Sequence, residues 1–457
     1  MTTQNPTDSP VRRWTVLVIV AFAMMMGYVF WDIVSPLSTT LKLPIAEGGM
    51  AWTAKEYGFY AGSYSIFNIF LLMLFLGGII LDRFGIRFTG LLATGMMLGG
   101  AVVNWWALEH IAPTTYVSMP VTLFGLIPDT MKTQVLVSAI GFGLFGVGCD
   151  ITGITVSKVV TKWFTGHELA SAMGIQVAMA RLGTASAISL SPVIAQSFGL
   201  SAPLLAGALL LLAGFVMFIV YTFMDRQVDT VTVSKSQSAM RLPSYVATLL
   251  KNPGFWLIVL LCVLFYSSLR PFLKFATDVL INKYGVDPVT SGWIVSLLPY
   301  GTIVLTPLFG SIYDRIGHGA LLMLIGCALV FGCHVLLALP MVNQTWVAVG
   351  VMIMLGVAFS LVPSAMWPSV PKLVPIEVLG TSYSIIYYVQ NIGLMLVPML
   401  IGNIIDQHTA ANGHVDFTAP MSVFALFALA ATLTAAVLLV VDLRKNYGLE
   451  RANIESR

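Results

Sequence analysis

The tetrad Asp-Arg-x-Gly occurs twice, as Asp82-Arg83-Phe84-Gly85 and as Asp314-Arg315-Ile316-Gly317, 232 positions apart in a chain of 457. Each copy closes one long apolar run and opens another. Leu76-Gly77-Gly78 precedes the first and Leu308-Phe309-Gly310 the second. Charged turns at matching places in two halves of a nearly uncharged chain mark an internal repeat. Only 9% of the residues are charged and 58% are hydrophobic, whereas a soluble domain carries about 25% charged residues. Mean hydropathy is +0.89. The lipid bilayer is thus the expected surroundings, and the net charge of +3 is no sign of a nucleic-acid partner.

A helix needs about 20 mostly apolar residues to cross a bilayer. Cutting at polar and Gly/Pro-rich breaks predicts twelve spans, at 14–36, 57–80, 88–108, 134–158, 170–195, 202–224, 253–281, 290–312, 319–339, 345–367, 379–405 and 419–441. The fold class is all-α and polytopic, with two six-helix halves at 14–224 and 253–442. Residues 225–252, with Asp225, Arg226, Lys235, Arg241 and Lys251, read as the linker, and 1–13 and 443–457 as polar tails. With both termini cytoplasmic, 16 of the 23 Lys and Arg residues fall on the inner side and four on the outer. That bias sets the orientation. The first span lacks a small-residue cleavage site and is not a signal peptide. The four cysteines lie in apolar segments without zinc or disulfide spacing.

The first loop, Gly78-Ile-Ile-Leu-Asp82-Arg83-Phe-Gly85-Ile-Arg87, resembles the signature between the second and third helices of the major facilitator superfamily. Trp163-Phe164-Thr-Gly166-His-Glu168-Leu169, Gly174-Ile-Gln176-Val-Ala-Met179-Ala180-Arg181-Leu-Gly183, Met366-Trp367-Pro368, Leu379-Gly380-Thr381-Ser382-Tyr383 and Gln390-Asn391-Ile392-Gly393-Leu394 narrow it, together with Trp31-Asp32 ahead of Pro36-Leu37. Together these resemble the lysosomal dipeptide uniporter branch of that superfamily. The resemblance implies dipeptide transport by alternating access, without obligatory proton coupling, and with Asp82, Arg83, Arg87, Asp314 and Arg315 in the conformational latch. Two departures stand out. The helix-4 acidic position, usually Glu in the branch, is Asp150, and no dileucine sorting signal precedes the first span. The second favours a prokaryotic cytoplasmic (inner) membrane, with the lysosomal membrane as the alternative. The expected assembly is a monomer. An accessory glycosylated subunit is expected only in a eukaryotic setting, and the single sequon, Asn343-Gln344-Thr345, carries little weight.

Ionisable residues within spans cost at least ~2.5 kcal/mol and are functional by default. Asp150 and Arg181 sit about 10 and 11 residues from the cytoplasmic ends of the fourth and fifth spans, hence roughly 15–17 Å deep. That is near the midplane, where transporters bind substrate. One reading is a buried ion pair tying those spans together; the other is a site for the two charges of a zwitterion. Arg270, Lys274 and Asp278 share one face of the seventh span at i, i+4 and i+8, beside Pro271. They read as an outer gate, with Arg270 a second anchor for a substrate carboxylate, or as long side chains snorkelling to the surface. Asp32, near the outer end of the first span, is either a gate partner or solvated.

Tyr28, Tyr64, Tyr266, Tyr300, Trp367, Tyr387, Gln390 and Asn391 are candidate cavity residues; Tyr387, Gln390, Asn391 and Leu394 fall on one side of the eleventh span. Packing or interfacial anchoring is the competing explanation for each tyrosine. Gly141-Phe-Gly143-Leu-Phe-Gly146 matches a dinucleotide-binding pattern but lies within a span, where small residues serve close helix packing. Cys333-His334 has no further ligands for a metal. No cofactor and no enzymatic constellation is expected. The alternatives to a dipeptide carrier are a transporter of another small organic anion or zwitterion, proton-coupled or not, and a membrane sensor or scaffold that transports nothing.

Overall fold

The computed structural model describes residues 9–164, 167–229, 251–375, 378–410, 413 and 415–452. Lys235 and Arg241 of the expected linker, Gly166, and the outermost residues of both tails lie outside these. In lipid every backbone polar group must be satisfied within its own segment, so the apolar runs become helices.

The long helices are α1 (Pro10–Asp32), followed by short α2 (Ser38–Lys42), α3 (Ala54–Ser63) and α4 (Ile66–Phe70), then α5 (Met73–His110), α6 (Thr133–Phe164), α7 (Leu169–Phe198) and α8 (Ala202–Asp229). The second half contributes α9 (Pro253–Tyr284), α10 (Pro288–Ile316), α11 (Gly319–Ala338), α12 (Thr345–Leu373), α13 (Leu379–Gln407) and α14 (Thr418–Lys445). Between α5 and α6 a small antiparallel hairpin pairs β1 (Tyr116–Ser118) with β2 (Thr130–Lys132). It is fastened to α3 by the buried Lys132–Glu56 ion pair, 3.1 Å.

Among the described residues eleven continuous helical stretches are long and apolar enough to cross a membrane. The second expected span is built differently. It is assembled from α3, α4 and the start of α5, with breaks at Tyr64–Ser65 and at Leu71–Leu72, where Leu72 takes φ +52°. α5 then turns at Gly85 (φ +79°, ψ 173°) and continues as the third span. Gly317 of the second tetrad has the same φ of +79°. Only glycine takes up that region without strain, which is why the repeat ends in Gly. The expected linker also starts too early: α8 runs to Asp229. Asp225 lies inside it, 2% exposed, accepting from Lys162, Trp163 and Tyr221 at 2.9, 3.2 and 3.0 Å. Arg87 stands 4.0 Å away. A buried aspartate with that many donors holds a helix end and cannot be linker.

The two tetrads have different surroundings. Asp82 pairs with Lys158 of α6 at 2.7 Å, both side chains largely exposed, and Arg83 lies over its neighbour Phe84. The second tetrad is clamped by the segment after α14. His318 and Gly319 donate backbone N–H groups to the Glu450 and Leu449 carbonyls, both at 3.0 Å. The Glu450 carboxylate accepts from Leu321 N–H at 3.1 Å and meets His318 Nδ1 at 3.0 Å. Lys372 donates to the carbonyls of Gly448 and Arg451. Arg315 itself is exposed.

Candidate functional site

The middle of the molecule holds a chain of aromatic and charged side chains that runs through both halves. At one end Asp150, on α6, accepts from Tyr64 Oη and from Asn68 Nδ2, both at 2.7 Å. The break after α3 turns these two residues toward α6. Tyr64 stacks on Trp31 of α1, with centroids 4.2 Å apart and planes 3° from parallel. Arg270 of α9 lies over Trp31 at 4.6 Å and over Tyr28 at 5.8 Å. Arg270 and Arg181 then share one ring, Phe359 of α12, at 5.6 and 4.5 Å. Tyr266 meets Phe359 at 5.9 Å and Trp367 at 6.5 Å. Trp367 stacks on Tyr387 at 5.0 Å.

Asp150 and Arg181 therefore do not form the ion pair offered as one sequence reading. Asp150 is held by two neutral donors. Among the described residues no carboxylate or carbonyl lies within hydrogen-bonding distance of the Arg181 guanidinium, whose one close neighbour of note is the Phe359 ring. Both residues remain partly accessible, and Tyr387 keeps 41% of its surface exposed although α12 stacks on it. Gln390 differs from the expectation of a shared polar face on α13. It is buried and its Oε1 accepts from Cys262 of α9 at 3.7 Å. Asn391 donates to the Tyr387 carbonyl at 3.0 Å and accepts across the halves from Ser65 Oγ at 2.6 Å.

The end of the molecule opposite the termini is sealed above this layer. Lys274 donates to Asp32 Oδ1 at 2.7 Å and to the Trp31 carbonyl at 2.6 Å, and Arg270 lies 3.7 Å from Asp32 Oδ2. Asp278 is buried, accepting from Thr39 at 2.7 Å and pairing with Lys42. Tyr57 donates to the Lys274 carbonyl at 2.8 Å and Thr277 to that of Ser35 at 3.3 Å. All of these bonds join the first half to the second. Snorkelling is excluded for Lys274, and solvation for Asp32, since they are 8% and 1% exposed. The residual cavity among Trp31, Asp32, Tyr64, Arg270, Lys274 and Pro398 is about 20 Å³, room for one water and nothing larger. Asp150 and Arg181 keep partial exposure and Tyr387 is exposed, whereas Asp32, Lys274 and Asp278 of the seal are buried.

The sequence profile described as Major Facilitator Superfamily matches residues 111–398 and again 273–453. The chain belongs to the major facilitator superfamily. It is accordingly a multi-pass membrane transporter and not an enzyme. A curated relative, the lysosomal dipeptide transporter MFSD1 of Danio rerio, is 26% identical over 97% of this chain and 91% of its own. In fold this major facilitator protein is similar to a mutant of the nucleoside transporter NupG, with a TM-score of 0.69, 14% identity, and coverage of 93% of this chain and 99% of that one. It is also similar to a POT family transporter in complex with a thioalcohol-conjugated peptide: TM-score 0.66, 14% identity, 94% and 96% covered.

Several site groups of this transporter carry no charge to betray them. Ser65, Asn68 and Phe359 escaped the sequence reading. Asn68 is an amide four residues after Tyr64 in an apolar run, a signal that was there to be used. Phe359 is one of 26 phenylalanines, and nothing in the sequence marks it as the ring shared by two guanidinium groups. The glycine run of α6 proves to be packing surface: a Cβ at Gly141 would stand 2.7 Å from the Gly100 carbonyl oxygen, and one at Gly146 2.1 Å from that of Tyr64.

Proposed function

We propose that this protein is a facilitative carrier of short peptides, dipeptides in the first instance, working by alternating access between two six-helix bundles. The observation that carries the reading is the pair of polar ends left unneutralised in one accessible layer. Arg181 has no acceptor among the described residues, and Asp150 has only neutral donors. A guanidinium takes a carboxylate bidentately, and a carboxylate takes an ammonium. A zwitterion bearing both charges, with a peptide bond between them, matches that pattern, and the exposed Tyr387 supplies a contact for the peptide unit. The kinship with a dipeptide transporter supports it.

Both termini are taken as cytoplasmic, which puts the sealed end on the outer side, in the inner membrane of a prokaryotic cell, with the chain acting as a monomer. Asp82 and Lys158 lie at the cytoplasmic mouth, where a latch would act on switching more than on affinity. A second reading, a carrier of another small organic anion, is favoured by the surplus of cations. Arg270 and Lys274 share Asp32, and Arg181 has no acceptor among the described residues.

Purified protein titrated with free, N-acetylated and C-amidated dipeptides separates these readings. Ligands that bind the folded state raise its apparent melting temperature. Free dipeptides stabilise on the first reading, and blocking either end weakens the effect. Equal stabilisation by N-acetylated and free peptides leaves the organic-anion reading. Equal stabilisation by all three forms removes the two-ended site.

A further inference from the structure

The helix α3 begins with a deficit. The first N–H groups of a helix have no partner within it. Thr53 and Glu56 form a capping box, in which Thr53 Oγ1 accepts from Glu56 N–H at 3.0 Å and the Glu56 carboxylate accepts from Thr53 N–H at 2.9 Å. That leaves Ala54 and Lys55. Their partner comes from 352 and 351 residues away: the Asp406 carboxylate, in the last turn of α13, accepts Ala54 N–H on Oδ1 at 2.7 Å and Lys55 N–H on Oδ2 at 2.9 Å. One half of the molecule thus caps a helix of the other. The charge lies at the positive end of the α3 dipole, where it is favourable, and charge-assisted bonds of this length are the strong kind.

Below the cap the two helices touch backbone to backbone. A Cβ at Gly58 would stand 2.4 Å from the Pro398 carbonyl oxygen, one at Gly62 2.4 Å from that of Met395, and one at Gly402 2.3 Å from that of Ala54. At these glycines the backbones of α3 and α13 lie against each other, with the Met399 side chain beside Gly62. The chain then passes directly into Tyr64 and Ser65, which hold Asp150 and Asn391.

We propose that Asp406 is a gate residue. Its carboxylate holds the end opposite the termini closed by capping α3 across the two halves, and losing both bonds is a required step in opening that end. The proposal rests on the alternating-access reading. It goes beyond the charged residues of α1 and α9 because it assigns part of the seal to backbone N–H groups of α3, which every side-chain replacement except proline leaves in place. The candidate site, through Tyr64 and Ser65, is mechanically continuous with this gate.

The test is a distance measurement in the full-length protein in lipid nanodiscs. Spin labels are placed at Glu47→Cys and Asn343→Cys, exposed positions at the sealed end on the two halves. The four native cysteines are all buried and stay in place. Removing hydrogen bonds to a charged group shifts a two-state equilibrium by about tenfold or more. Asp406→Ala is therefore expected to raise the ratio of long to short distances about tenfold. Asp406→Asn, which keeps one acceptor, is expected to give a smaller rise and serves as the deciding variant if the alanine protein does not fold. Asp278→Asn, which weakens a different bond across the same end, is the positive control. Opening in the control with wild-type distances in the Asp406 variants overturns the assignment and leaves the transport reading intact. Wild-type distances in all three folded variants overturn the assignment and count against alternating access as well.

Discussion

Asp32 is buried and Asp150 partly exposed in the helical body, and the two carboxylates are served in opposite ways. Asp32 has two cations from the other half, Lys274 at 2.7 Å and Arg270 at 3.7 Å. Asp150 has two neutral donors, both from its own half. A carboxylate that is already neutralised by cations is a poor partner for an ammonium group, because binding would first have to displace them. One held by a hydroxyl and an amide is oriented but keeps its charge available. The first joins the halves; the second fits the role proposed for it, meeting an ammonium that arrives from outside. The arginines divide in the same way: Arg270 is committed to Asp32 and Trp31, and Arg181 to a ring that can be covered without breaking an ion pair.

Four substitutions press on this contrast. Removing Asp32 strands two buried cations, and breaking a buried pair by deleting one partner costs about 3–5 kcal/mol. Asp32→Ala is expected to lower the melting temperature strongly, with or without ligand. A variant as stable as the wild type would show that Asp32 is not the keystone of the seal. Arg181→Lys comes next. It retains the charge but loses the planar fork, and dipeptide affinity is expected to fall by about tenfold or more in calorimetric titration, with unliganded stability near wild type. If unliganded stability falls as far as in Asp32→Ala, Arg181 is structural and the contrast collapses.

Asp150→Asn should cost about tenfold in affinity for free dipeptides, the worth of one charged hydrogen bond. N-acetylated peptides should bind wild type and variant alike, because the same interaction cannot be lost twice. A loss as large for acetylated peptides as for free ones would remove Asp150 from the ammonium role. The smallest effect is expected at Asp82, whose partner Lys158 is itself solvent-exposed. Exposed pairs contribute little to stability. Asp82→Asn should change dipeptide affinity by less than about twofold while slowing exchange in proteoliposomes; unchanged exchange would place the latch elsewhere.

Much of this was legible in the residues. Apolar runs of membrane length have one stable form in lipid, so the helices followed from hydropathy, and depth along the helix was enough to pick out Asp150 and Arg181. What they touch was not legible, because contact depends on rotation about the helix axis. A single break, at Tyr64–Ser65, decides which donors reach Asp150, and no proline or glycine stands at that break to announce it. Gln390 shows the same limit: three or four residues of spacing put it on the face of Tyr387 and Asn391, but a slight rotation turned it to Cys262. Asp406 could not be read as a cap from sequence, since its helix partner lies in the opposite half.

The clamp on the second tetrad has a practical side. Residues 446–452 are a working part of the second bundle, supplying Glu450 to the start of α11 and two carbonyls to Lys372. A purification tag or fluorescent fusion joined directly after α14 would evict them, and trimming the chain there to aid crystallisation would strip the turn of its cap. The duplicated motif has thus diverged in duty. The copy at Asp82 stays a loose fitting between α5 and α6, while the copy at Asp314 has become a fixture, bolted down by the chain's own tail.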